Sequence, residues 1–390
     1  MSHLFSGWPR ESLAQIHSDR SINPNGEICA RYYQLSDRIT ANPADWWRRT
    51  VDYVGGRADS LDGIASVRIT PRLERWLKEF QPQIVFSQMG GLWLTRLTNM
   101  VVKTLQIPLV VHVSDDWISD WPVNGLERRN VFPIAQVLNY LCRLEFVNAI
   151  KAARLRYCIS QAMCTQYQAR YGFEFSALHN GINPQQWSEK GIEPKRAGEP
   201  FRIFYSGSIS ENGNLQSLKD VSEAVAGLAE QGVPIRMEVA THTTGFSFRP
   251  LIERPPHVTF CELVPYADLP RRLQEFDLLL IALNFDDVSS RWLRYSMLGK
   301  VAEYMISGTP VLLYGPQTNA SIAYAVSEDW GYAVTDRGQL SIQAALQRLI
   351  ADDGLRMSLA SNARRIALRD HDITSMRGDF QSAVCEAAFS

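Results

Sequence analysis

At 390 residues the chain is too long for one ordinary hydrophobic core and suits two α/β domains of roughly 150–200 residues each. An apolar fraction of 45% is that of a globular protein, and 40 basic against 41 acidic residues give a net charge of −1, which argues against a nucleic-acid binder. Six scattered cysteines (Cys29, Cys142, Cys158, Cys164, Cys261, Cys385) form no Cys-x-x-Cys pair, no secretory segment opens the chain, and no apolar run reaches the ~18 residues of a membrane span, so a cytoplasmic protein, soluble or peripheral at a membrane, is expected.

An α/β domain normally opens on a buried strand and a glycine turn. Here Met1–Phe5 runs at once into Ser6-Gly7-Trp8-Pro9, which reads as that turn, so the first strand is expected to be short or missing. Pro9 suits the first turn of a helix through Ser12–Ile16, and Ile28–Tyr33 reads as a strand. Segment 36–70 is polar and Trp-rich; Trp46 and Trp47 are either core or a platform on which a ligand stacks. Clearer periodicity follows: a helix over Pro71–Phe80, a buried strand over Gln83–Ser87 ending at Gly90-Gly91, a helix over Leu92–Leu105 and a strand over Pro108–Val113. Such alternation implies a parallel sheet with right-handed crossovers, and ligands then sit beyond the carboxyl ends of the strands. Gly90, Gly91, His112, Asp115, Asp116 and Trp117 fall there. His112 is either a ligand contact or a core histidine bonded to backbone. Asp115-Asp116 reads as an acceptor-hydroxyl contact, a helix cap or a metal-binding pair. From Val131 to Arg156 a helix is expected, with Arg143, Lys151, Arg154 and Arg156 off its apolar face, either solvated or touching anionic lipid. Tyr157–Ser160 is a short strand whose Ser160 caps a helix over Gln161–Tyr171, and Phe175–Leu178 leads into a tight turn at His179-Asn180-Gly181-Ile182-Asn183.

Ser188–Pro200 is charged and poor in apolar residues, as in a linker. Phe201–Tyr205 then starts a second sheet, and Ser206-Gly207-Ser208-Ile209-Ser210 is a strand-to-helix turn where glycine and serines allow close approach of a phosphate. A helix over Ser217–Glu230, strands over Ile235–Ala240 and Val258–Cys261, a helix over Leu269–Phe276 and a buried strand over Leu278–Ala282 continue the alternation. Next comes a polar loop with Ser289, Ser290, Arg291 and Arg294, a helix carrying Lys300 and Glu303 in its first turns, a stop at Gly308 and Pro310, and the strand Val311–Tyr314. Lysine near the exposed N–H groups of a helix start favours an anion such as a diphosphate. Closing helices are expected over Ser341–Ile350, Leu355–Ala367 and about 373–388.

The pattern Lys300-x-x-Glu303-Tyr304-Met305-x-x-Gly308-x-Pro310-Val311 resembles the donor-binding segment of retaining glycosyltransferases of the two-domain GT-B type, particularly the group 1 glycosyl transferases of family 4. Asn180-Gly181-Ile182-Asn183 is similar to the turn that closes their first domain. The resemblance implies an α/β fold of two Rossmann-like parallel-sheet domains facing a central cleft: an acceptor-binding domain over 1–187, a linker over 188–200, a nucleotide-sugar domain over 201–372, and a last helix over 373–390 crossing back. It implies sugar transfer from a nucleotide diphosphate-sugar to a hydroxyl of a glycan or lipid-linked acceptor, with retention and with no metal or other cofactor. By the same resemblance His112 contacts the donor sugar, Leu263 and Val264 meet the nucleobase, and Glu303 holds the ribose. Two departures stand out. Ser208 follows Gly207 where many members have arginine, and Asn212-Gly213-Asn214 occupies the region of a later lysine, so Arg294 and Lys300, with Arg291 third, are expected to supply the missing charge. Tyr295 stands where the first of two glutamates is usual, leaving only Glu303. The expected catalytic residues are thus His112, Arg294 and Lys300, the donor site adds Gly207 and Ser208, and the acceptor side takes Trp8, Gly90, Gly91, Asp115 and Asp116. A nucleotide-sugar epimerase of the same fold and a non-catalytic two-domain binding protein are the alternatives.

Overall fold

The computed structural model describes residues 2–17, 26–35, 68–120, 132–187 and 199–389; Trp46, Trp47 and most of the expected linker lie outside the described residues. The chain divides into two compact units, Met1–Leu178 with Ser375–Ser390, and His179–Thr374.

The first unit holds a parallel pair, β1 (Ala14–His17) with β2 (Arg31–Gln34), and a parallel sheet of β3 (Val85–Gln88), β4 (Leu109–Val113), β5 (Ala153–Cys158) and β6 (Ser176–Ala177) in that spatial order. Helices Leu92–Leu105, Phe132–Ala152 and Gln161–Tyr171 make the crossovers that parallel neighbours require. Every residue of β4 is buried, which is why its sequence is an unbroken apolar run apart from His112. Local signals set several boundaries: Thr70 Oγ1 accepts from the Leu73 amide at 3.2 Å ahead of Pro71, and Ser160 Oγ accepts from the Met163 amide at 3.1 Å. Two expectations fail. Ser12–Ile16 is not a helix: after a three-residue 3-10 turn at Arg10–Ser12 the chain extends into β1, because pairing with β2 outweighs the proline signal. The long helix stops at Ala152, and Arg154 and Arg156 lie on β5 beside β4. Their guanidiniums donate to the carbonyl oxygens of Ala387 (2.9 Å, from Arg154) and Ile150 (2.7 Å, from Arg156), so they form no basic helix face. The C-terminal helix Ile373–Phe389 packs Phe380 against Phe5, Phe86 and Tyr157 at ring-centroid distances of 5.5, 5.6 and 5.8 Å.

The second unit is built on β7 (Phe201–Ser206), β8 (Ile235–Thr241), β9 (Val258–Glu262), β10 (Leu278–Ala282), β11 (Val311–Tyr314) and β12 (Tyr332–Val334), all parallel, in the order β12-β11-β10-β7-β8-β9. The chain winds outward from β7 to β9, returns to the other side of β7 and winds outward again to β12. This is the doubly wound order, and it reverses between β7 and β10. Leu218, Val221, Val225 and Leu228 of helix Leu215–Glu230 share one buried core with alternate residues of β7 and β8. Near the start of the unit Ile182 is laced to a segment far along the chain: its amide donates to His371 O at 2.8 Å and its carbonyl accepts from the Ile373 amide at 2.9 Å. Helix Ala320–Glu328, whose start Asn319 caps through Oδ1, and strand β12 complete the sheet edge. No helix among the described residues is long and apolar enough to cross a membrane.

Candidate functional site

In a doubly wound sheet, loops leaving the two central strands separate in opposite directions and open a crevice at their carboxyl ends. In the second unit those ends are Ser206-Gly207 after β7 and Leu283-Asn284 after β10. Gly207 has φ +145°, a conformation that side chains disfavour, and a Cβ placed on it would lie 2.6 Å from Lys300 Nζ. Glycine is required here by the backbone geometry, and a side chain in its place would displace the Lys300 ammonium. The turn beyond it is held by side chains. Tyr205 donates its hydroxyl to Ser208 O at 2.7 Å, while Asn214 Nδ2 donates to Ser208 O at 2.9 Å and its Oδ1 accepts from the Ser210 amide at 3.0 Å. Asn284 ties the two strand ends together: its Oδ1 accepts from the Ser217 amide at 3.1 Å and its Nδ2 donates to Glu211 O at 2.8 Å.

Lys300 opens the seven-residue helix Lys300–Ile306, whose apolar positions Val301, Ala302, Met305 and Ile306 are buried. That packing turns the lysine toward the end of β7. Its ammonium lies 4.0 Å from the centre of the Tyr205 ring and 6.0 Å from that of Tyr304. The Tyr304 hydroxyl accepts from the Ser206 amide at 3.0 Å, fixing the same strand end. Loss of hydration brings the Lys300 pKa down from 10.5 to about 7, only partly countered by the negative field of Glu303. Among the described residues no carboxylate forms an ion pair with Lys300. Glu303 lies one turn along, faced by the Tyr266 hydroxyl, and burial raises its pKa against the opposing influences of Tyr266 and Lys300. A desolvated cation that Glu303 balances only in part is costly, and an anion bound over Gly207 would neutralise it.

The structure thus brings Gly207, Lys300 and Glu303 together, with the exposed Ser208 on the same turn. Leu263 and Val264, partly exposed, connect β9 to the 3-10 turn Tyr266–Asp268, next in sequence to the tyrosine that faces Glu303. Arg294 is exposed at the end of helix Asp287–Leu293, its guanidinium 6.0 Å from the Tyr295 ring. Arg291 is also exposed and donates to the Asp287 carbonyl at 3.2 Å. Tyr205, Asn214, Tyr266, Asn284 and the Tyr304 hydroxyl were not singled out by the sequence. The signal available was positional: Tyr205 lies two residues before Gly207, and Asn284 two residues after a fully buried strand.

In the first unit His112 is buried, near the end of β4, with Nε2 3.1 Å from Leu178 O, the backbone-bonded arrangement of a core histidine. Asp116 turns inward: it accepts from the Tyr167 hydroxyl at 2.7 Å and lies 3.7 Å from Arg170 Nη1. Gly90 and Asp115 are exposed at the carboxyl edge of the sheet. Gly91, partly exposed, precedes helix Leu92–Leu105, and its carbonyl accepts from Thr95 Oγ1 at 2.8 Å. Trp8, in the same unit, meets Phe5 edge-on at 6.2 Å.

No family model and no curated protein matches the sequence. Solved structures match its fold. Sucrose-phosphate synthase from Thermosynechococcus elongatus aligns at 12% identity over 96% of this chain and 88% of its own, with a TM-score of 0.64. The E. coli trehalose-6-phosphate protein bound with UDP-2-fluoro glucose aligns at 11% identity over 97% of this chain and 92% of its own, with a TM-score of 0.61. Anabaena HepE in complex with UDP and glucose aligns at 16% identity over 81% of this chain and 82% of its own, with a TM-score of 0.57. At such identities the likeness defines the fold: the chain is an α/β protein of GT-B type with two Rossmann-like domains.

Proposed function

We propose that the protein is a glycosyltransferase that takes a sugar from a nucleoside diphosphate-sugar, with UDP as the nucleotide, and places it on a hydroxyl of a glycan or lipid-linked acceptor with retention of configuration. The observation that carries this reading is the Lys300 ammonium, in no ion pair among the described residues, over Gly207 at the reversal point of the second sheet. Its support is twofold: the site has the charge and the open backbone that a diphosphate needs, and the fold is shared with proteins crystallised with UDP, UDP-glucose or a UDP-glucose analogue.

When the bond between the sugar and the diphosphate breaks, negative charge grows on the leaving phosphate. Lys300 and the amides of the Gly207 turn stabilise it, each such donor being worth ~2–4 kcal/mol by comparison with oxyanion-hole deletions. Glu303 accepts from the ribose hydroxyls, Leu263 and Val264 flank the base, and Arg294 adds charge from its exposed helix end. Acceptor recognition belongs to the first unit, with Gly90, Gly91 and Asp115 at its sheet edge. Six unpaired cysteines favour the reducing cytoplasm as the place of work, with membrane contact only peripheral.

The test is a thermal-shift panel of nucleoside diphosphates followed by turnover of UDP-sugars with and without acceptor. A ligand at 100 times its Kd adds about 2.7 kcal/mol to apparent stability, so UDP is expected to raise Tm clearly. Donor consumption that requires a hydroxyl acceptor supports transfer. Consumption without acceptor points to an epimerase, and binding without turnover to a sensor.

A further inference from the structure

Tyr205 lies at the end of β7 with its side chain in the core, yet both its ring and its hydroxyl serve the site. The ring face holds the Lys300 ammonium 4.0 Å from its centre. The hydroxyl donates to Ser208 O at 2.7 Å and accepts from Asn214 Nδ2 at 2.7 Å, so the same residue fixes the turn on which Gly207 and Ser208 sit. An aromatic face attracts a cation without cancelling its charge, whereas a carboxylate in that place would neutralise the lysine and compete with an incoming anion. The groups around Lys300 fit this division of labour: Tyr205 and Tyr304 supply the rings, and Glu303, the acidic group whose field reaches Lys300, is itself faced by the Tyr266 hydroxyl.

We propose that Tyr205 is the positioning residue of the diphosphate subsite: its ring holds Lys300 over Gly207, and its hydroxyl shapes the turn that receives the phosphates. The inference rests on the nucleotide-sugar reading above and adds to it a residue that touches no substrate. It also accounts for a turn that carries no basic residue, since Tyr205 brings charge to it from another helix.

The two parts of the side chain separate by substitution. Tyr205→Phe keeps the ring and loses the hydroxyl; Tyr205→Leu loses both. Binding of UDP and of uridine is measured for each folded variant by calorimetry and by ligand-observed NMR. The wild type is expected to prefer UDP strongly. Tyr205→Leu should lower that preference about tenfold, the loss of a desolvated cation–ring contact, while uridine binding stays the same. Tyr205→Phe should retain the larger part of the preference. Equal weakening of UDP and uridine in the leucine variant, or an undiminished preference, overturns the inference. A wild type that binds uridine as well as UDP, or neither, sinks the nucleotide-sugar reading itself. Should the leucine variant not fold, the wild type decides: the Lys300 ε-methylene protons must be displaced upfield by the ring, and random-coil positions for them overturn the inference.

Discussion

Replacing Lys300 by methionine separates binding from stability in opposite directions. The side chain keeps its apolar stem and loses only the ammonium. Lowering the pKa from 10.5 to about 7 corresponds to roughly 4–5 kcal/mol of unfavourable charge burial at 1.36 kcal/mol per pKa unit. The contact with the Tyr205 ring returns about 0.5–2 kcal/mol of that. Ligand-free Lys300→Met is therefore expected to be about 2–4 kcal/mol more stable than the wild type below pH 7. The sign follows from proton counting. From about pH 7 to 10.5 the unfolded chain holds a proton on Lys300 that the folded protein has released, so wild-type stability rises with pH through that window. The variant has no such rise, and its advantage should disappear by about pH 10.5. Donor binding moves the other way, with UDP losing the cation it meets over Gly207 and about 2–4 kcal/mol with it. Urea titrations at pH 6.5 and 9.5, each with and without UDP, read both effects. A methionine variant that is less stable at pH 6.5, or that UDP stabilises as much as it does the wild type, refutes the reasoning.

Further expectations follow from the same geometry. Gly207→Ala puts a methyl group at a φ of +145° where the Lys300 ammonium now lies, so the lysine must move aside, and UDP affinity should fall at least tenfold for a stability loss of about 1–3 kcal/mol from the backbone strain, read by calorimetry and denaturation. His371 is buried beside His179 with its pKa lowered to about 4, chiefly by loss of hydration, so the unfolded chain takes up a proton first as the solution is acidified. Stability present above pH 6.5 should then decline toward pH 4 by about 3 kcal/mol, and His371→Phe should flatten that decline in pH-dependent urea titrations. Asp116→Ala leaves the buried Tyr167 hydroxyl without its acceptor in the first unit and should cost about 1–3 kcal/mol of stability, measured by denaturation; a loss within experimental error would contradict its inward, bonded placement.

What could be read from the residues was mostly what local chemistry decides. Leu92–Leu105, Gln161–Tyr171 and Leu278–Ala282 have the boundaries their periodicity and caps announce, and Gly207 marks a turn that only glycine fits. The misreadings arise where partners far along the chain decide. Ala14–His17 is extended because Arg31–Gln34 lies beside it, although Pro9 reads as a helix start. Ala153–Cys158 continues the apolar phase of the preceding helix, and only pairing with β4 makes it a strand. Helix Ala320–Glu328 buries one face through Ser321, Ile322 and Ala325, but its exposed face carries the apolar Ala323 and Val326, so the sequence shows little of the one-sided pattern that marks an amphipathic helix. Within the site, Lys300 and Glu303 were visible as a charged pair on one helix, whereas the ring under Lys300 comes from a strand almost a hundred positions earlier. Arg294 and Lys300 looked equivalent in sequence, but Lys300 lies over the Tyr205 ring whereas Arg294 is exposed at the end of its helix.

The most direct measurement is a crystal structure of the protein with UDP. The diphosphate should lie over Gly207 at the carboxyl end of β7, with a phosphate oxygen within ion-pair distance of Lys300 Nζ and the ribose against Glu303. UDP bound elsewhere on the chain, or a diphosphate that leaves Lys300 on its ring with no phosphate beside it, would contradict the account.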